Sequence, residues 1–149
     1  MVLAVAVLCS ACHRSTVLHQ YRDVAAAGWE QSEMLQFTVD SVGQGGVYAV
    51  DAGVRISNLY PYQRLWLAVD VQLANPDTAF TDTLACTFVN SQGSRPTTGA
   101  AGSHYSFHAF EVAMSHGQSA VFTVRHIMRR EVLPGILSIG LRVERNDGR

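Results

Sequence analysis

The sequence predicts an all-β fold, a single antiparallel β-sandwich of jelly-roll or immunoglobulin-like type, behind an N-terminal lipoprotein signal. Three observations carry the prediction. From Met34 onward apolar and polar residues alternate with period two, Gly, Pro and Asn clusters break the alternation at short intervals, and no stretch shows convincing amphipathic-helix spacing. A period of two sends successive side chains to opposite faces of a sheet, so each strand offers one face to a core and one to water.

The strands follow in order. Leu35, Phe37 and Val39 alternate with Gln36, Thr38 and Asp40. After the turn signal Gly43-Gln44-Gly45-Gly46, the residues Tyr48, Val50, Ala52, Val54 and Ile56 form the apolar face of a second strand. Asn58-Leu59-Tyr60-Pro61 reads as a turn, and Leu65, Leu67, Val69, Val71 and Leu73 form one face of a long third strand. Asn75-Pro76-Asp77 breaks it. Phe80, Leu84, Cys86 and Phe88 mark a fourth strand, with Asp82 out of character on the apolar phase. Residues 91–103, rich in Gly and Pro and without period, read as a long exposed loop. Phe110, Val112 and Met114 suggest a fifth strand, and Phe122, Val124 and Met128 a sixth. Past Leu133-Pro134-Gly135, a final strand alternates Leu137, Ile139, Leu141 and Val143 with Ser138, Gly140, Arg142 and Glu144. Val24-Ala25-Ala26-Ala27 reads at most as one helical turn.

The N-terminus reads differently. Val2 to Leu8 is a run of seven apolar residues, far below the roughly 20 that span a bilayer but matching the core of an export signal. Cys9-Ser10-Ala11-Cys12 follows, and small residues ahead of Cys12 resemble a lipobox, cleaved before a cysteine that receives lipid. The other reading of the run is an ordinary apolar first strand. Residues 1–11 are thus expected as the signal segment, 12–20 as lipidated cysteine and tether, and 21–149 as the sandwich. Polar His13, Arg14, Ser15 and Thr16 suit a tether.

Composition limits the function. The 149 residues suffice for one domain, and 48% apolar against 15% charged argues against disorder. A net charge of −1 provides no overall field for nucleic acid. All eleven basic residues are arginine. Beyond Cys9 and Cys12, Cys86 stands alone in phase with Leu84 and Phe88, as a buried thiol would. No nucleophile elbow, phosphate loop, zinc-cysteine pair or dinucleotide fingerprint occurs, so neither catalytic residues nor a cofactor are expected.

Several residues are candidates for contact. Trp66 sits on the polar phase with Arg64, Ala68, Asp70 and Gln72, where it either meets a partner or a sugar or is covered by the 91–103 loop or the Trp29 segment. Covering is the favoured reading, because large apolar side chains are seldom left bare. His126 lies on the apolar phase beside Arg125, Arg129 and Arg130, a basic spot for a partner or a hydrogen-bonded histidine near a strand end. His104 and His108 are four apart, but in a strand that is about 13 Å, too far for one metal, so no metal is expected.

At Trp29, Tyr60-Pro61, Leu65-Trp66-Leu67, Thr81-Asp82-Thr83-Leu84, His126-Ile127-Met128-Arg129 and the closing block Gly135 to Glu144, the chain resembles the gliding motility lipoprotein H family. The blocks extend in order from about Tyr21 to Arg145. The resemblance implies an outer-membrane lipoprotein facing the periplasm, in bacteria that glide over surfaces and secrete adhesins. It implies an accessory, non-enzymatic component that works with other envelope lipoproteins or motility and secretion proteins. The alternative is a membrane-anchored carbohydrate-binding sandwich using Trp66 or Trp29. A third reading, a hydrolase on a β scaffold, needs polar side chains gathered in one cleft.

Overall fold

The computed structural model describes residues 15–89 and 102–147. The signal segment, Cys12 and most of the Gly- and Pro-rich segment lie outside them. Ten strands occur among the described residues. They are β1 (Thr16–Asp23), β2 (Trp29–Glu30), β3 (Leu35–Val39), β4 (Gly46–Ile56), β5 (Arg64–Ala74), β6 (Thr78–Thr87), β7 (Ser103–Met114), β8 (Ser119–His126), β9 (Val132–Leu133) and β10 (Ile136–Arg145).

Two four-stranded antiparallel sheets, ordered β1-β10-β4-β7 and β3-β8-β5-β6, make the sandwich, and β2 pairs with β9 in a small third sheet. Leaving out β2 and β9, the first strand pairs with the last, the second with the seventh, the third with the sixth and the fourth with the fifth. That is one long hairpin folded over on itself, a jelly roll rather than an immunoglobulin-like arrangement.

Alternation dictates which side chains fill the interior. Leu65, Leu67, Val69, Val71 and Leu73 of β5 point inward, as do Phe37 of β3 and Ala120, Phe122 and Val124 of β8. Tyr48, Val50, Ala52, Val54 and Ile56 of β4 face them with Ile139, Leu141 and Val143 of β10. Each of the larger side chains among them, removed from water, contributes about 1.5–3 kcal/mol. Cys86 is buried, which pushes its thiol pKa up to about 12 and leaves it unreactive.

Three elements depart from the expected pattern. Residues 16–20, expected as tether, belong to β1, which pairs with β10 from Thr16↔Glu144 to Asp23↔Ser138. β1 is an edge strand whose side chains are mostly exposed, so it carries no alternation to read. Second, β7 starts at Ser103 and its register with β4 shifts between Val50 and Asp51. Ala109 is the extra residue, so Tyr105 and Phe107 turn inward on odd positions while Phe110, Val112 and Met114 do so on even ones. Third, the outer face of β10 is covered. The Tyr21 ring crosses Gly140 and Gly53, and a Cβ at Gly140 would stand 2.6 Å from it. Glycine at both positions lets the ring lie on bare backbone.

The antiparallel course gives the sandwich two poles. Residue Thr16, the end of β10 and the turns 40–45, 75–77 and 115–118 lie at one, here the Thr16 pole. The connections 24–34, 57–63 and 127–135 lie at the other.

Candidate functional site

The second pole is closed by aromatic side chains. Trp29 is fully buried, donates its indole N–H to the Glu33 carbonyl at 2.9 Å, and meets the His126 ring edge-on at 5.2 Å. Pairing of Trp29 with Leu133 across β2 and β9 holds that plug over the core. Tyr60, also fully buried, donates its hydroxyl to the Arg64 carbonyl at 2.7 Å and packs edge-on against Phe88 at 5.5 Å. The turn residue Tyr60 thereby fixes the start of β5, from which Trp66 projects two residues later.

Trp66 is 41% exposed on the outer face of β5, and among the described residues neither the Trp29 segment nor any other element covers it. Tyr62, 37% exposed, lines the same surface, with its ring edge-on to Tyr60. Met128 closes the other side, its sulfur accepting the Trp66 N–H at 3.3 Å, while Ile127 donates its N–H to the Trp66 carbonyl at 2.9 Å. These side chains are shared by two shallow depressions of about 530 and 440 Å³. Arg64 lies on the rim with its guanidinium carbon 6.0 Å from the centre of the Trp66 ring, and Arg129 and Arg130 line the opposite side. Among the described residues, no carboxylate lines either depression. Among the described residues, Arg64, Arg129 and Arg130 make no ion pair.

The remaining candidates are placed elsewhere. Trp29 is a core plug and not a contact or sugar platform, because the β2–β9 pairing turns its ring inward. His126 is likewise fully buried. Its Nε2–H donates to the Trp29 carbonyl at 3.1 Å, and Nδ1 accepts the Met128 N–H at 3.4 Å. It ties β8 to β2 and offers nothing to a partner. Arg125 shares the outer face with Trp66, but its Nε meets Asp70 at 3.3 Å, and the other Asp70 oxygen accepts the Thr81 hydroxyl at 2.5 Å. His104 and His108 both lie on the exposed face of β7, and His108 bonds Asp51 at 2.9 Å. The structure thus joins Trp66 with Arg129 and adds Tyr62, Met128 and Arg64.

Burial lowers the pKa of His126, outweighing the backbone hydrogen bonds to Trp29 and Glu131 that favour the charged ring. The unfolded chain therefore takes up this proton first. Stability from His126 is full above the ordinary histidine value near 6.5 and is lost as pH falls from there through the lower folded value. The melting temperature of the wild type should fall between pH 7.5 and 5.5. His126→Gln keeps a donor for the Trp29 carbonyl, and should be less stable throughout but with a flatter pH dependence. Parallel pH profiles for the two proteins would refute the assignment.

A family model described as GldH lipoprotein matches residues 16–143, most of the chain, from the start of β1 to Val143 within β10. The chain belongs to the GldH lipoprotein family. As a member it is a non-enzymatic, lipid-anchored lipoprotein of the outer membrane, associated with the gliding-motility and secretion apparatus. No curated protein matches it. Among solved structures it is similar to the family 35 carbohydrate binding module from Clostridium thermocellum, at 14% identity and a TM-score of 0.42, covering 83% of this chain and 86% of that one. It is similar to the GH26-CBM35 β-(1,4)-mannanase of Podospora anserina at 14% identity and a TM-score of 0.44, covering 92% of this chain and 27% of that one. The CBM35 from Cellvibrio japonicus Abf62 follows at 15% and 0.39, with coverage of 87% and 99%. Likeness at this level transfers no ligand to the Trp66 surface.

Proposed function

We propose that this family member is a docking subunit, cleaved after residue 11, held to the membrane by lipid on Cys12, and joined to its apparatus through the Trp66 surface. The occupant is an acidic segment of a neighbouring protein, carrying an apolar side chain that seats between Trp66, Tyr62 and Met128. One observation supports this reading above the rest: exposed Trp66 and Tyr62 with half-buried Met128, rimmed by Arg64, Arg129 and Arg130 without a carboxylate. Aromatic, Met and Arg side chains are the types enriched where proteins bind one another. Guanidinium groups beside them that make no ion pair among the described residues favour acidic partners and speed their approach.

Trp66→Ala tests it. The ring is half in water, so its loss should change the melting temperature little, whereas a central aromatic anchor is worth at least about 2 kcal/mol of binding, roughly a thirtyfold loss. In envelopes carrying a photo-crosslinker at Tyr62, joined peptides should be rich in Asp and Glu. Trp66→Ala, and Arg129→Glu with Arg130→Glu, should each abolish the crosslink in protein that melts like wild type. Crosslinks that survive both changes, or that join neutral or basic peptides, would refute the reading.

A further inference from the structure

The position of the lipid relative to the two poles fixes how the domain stands on its membrane. Ser15 is tied to the last strand twice: its carbonyl accepts the Arg145 N–H at 2.9 Å, and its hydroxyl bonds the Glu144 carboxylate at 3.1 Å. Cys12 is three residues upstream. A fully extended chain advances at most about 3.6 Å per residue, so Cys12 stands within about 11 Å of Ser15. The acyl chains on Cys12 must be buried in the bilayer, and a leash that short leaves the domain no room to turn over.

We infer that the Thr16 pole lies against the lipid headgroups and that the Trp66 surface is the membrane-distal end of the molecule, an orientation that rests on lipidation of Cys12. Along β5, Trp66 is eight residues from Ala74 at the Thr16 pole, about 26 Å at the rise of an extended strand. That separation is more than twice the reach of the leash. With the Thr16 pole on the headgroups, the Trp66 depression stands clear of the bilayer of its own anchored copy, and the partner approaches from the side away from the membrane. The Thr16 pole suits apposition to headgroups. Its turns are short and built of small or neutral residues, Ser41, Gly43, Gln44, Gly45, Ser115, His116 and Gly117. Arg145, whose backbone N–H bonds Ser15, is paired with Asp147 at 2.7 Å. Asp40 and Asp77 are the exposed carboxylates on these turns.

Single-cysteine labelling tests the orientation, because lipid blocks Cys12 and burial silences Cys86. Gly43→Cys and His116→Cys place a fluorophore at the Thr16 pole; Leu59→Cys and Glu131→Cys place one at the opposite pole. All four positions are exposed, and nothing lies within 4 Å of a Cβ at Gly43. The full lipidated chain is reconstituted into phosphatidylethanolamine–phosphatidylglycerol vesicles containing lipid with a nitroxide on its headgroup. Labels at 43 and 116 should be quenched several-fold more strongly than labels at 59 and 131. Equal quenching at the two poles, or the reverse order, in protein that floats with the vesicles overturns the orientation and leaves lipidation standing. Failure of all four to float, with an intact mass lacking acyl groups, overturns the lipidation itself.

Discussion

Leu67→Asp and Leu141→Asp should each abolish cooperative folding at ordinary temperature, while Gln72→Asp should melt like the wild type. Leu67 is fully buried on β5 and Leu141 is almost so on β10, both inner strands of their sheets. Truncating a buried Leu alone costs about 2–5 kcal/mol. Placing an unpaired carboxylate there adds several more, whether it is desolvated as an ion or held neutral by protonation. Small domains have only about 5–15 kcal/mol in total, so either change removes most of it. Gln72 lies on the same strand as Leu67, five residues on, but its odd offset turns it to the outer, solvated face. Thermal melting followed by circular dichroism separates the cases. Three similar melting temperatures would mean that the strand phases are wrong.

Those phases were legible because the signal is local. β4, β5 and β8 pair with strands on both sides, and β3, though at an edge, packs its inner face on the opposite sheet, so apart from His126 their inward residues are apolar, and a period of two can be read from the chain. β1 was not legible as a strand, because an edge strand with exposed side chains has no need to alternate. The first half of β7 was missed for a different reason. The bulged Ala109 reverses the phase, so Tyr105 and Phe107 fall out of step with Phe110 and Val112, and the Gly- and Pro-rich stretch before them favoured a loop.

The proposed binding surface was legible in two residues, Trp66 and Arg129. Trp66 stood out as a large aromatic among Arg64, Ala68, Asp70 and Gln72, although the general rule that such side chains are covered pointed the other way. Its neighbours come from two connections whose conformation no period describes. Met128 looked like a continuation of Phe122 and Val124, yet β8 ends at His126, and beyond that point the side chain is free to curl back under the Trp66 backbone. Trp29 was misread because only the β2–β9 pairing, made across about a hundred residues of chain, turns it inward.

Cys12→Ala should move the protein from the membrane to the soluble fraction almost completely. One myristoyl-sized chain binds a bilayer with a constant of only about 10⁴ M⁻¹, and each buried methylene adds about 0.8 kcal/mol, so two or three chains on one cysteine make release immeasurably slow. Alanine has no thiol to accept them. The domain offers no replacement of comparable strength. Apart from exposed residues such as Met34, Leu59 and Trp66, its large apolar side chains are turned inward, and no helix among the described residues is long and apolar enough to cross a membrane. The run Val2 to Leu8, if retained, is seven apolar residues, about a third of a span, and should come away in a carbonate wash. The contacts proposed for the Trp66 surface would depend on charge and should yield to high salt. Fractionation after both washes therefore isolates the lipid. Variant protein still in the washed membrane, with wild-type protein showing no acyl groups by mass, would refute Cys12 as the anchor.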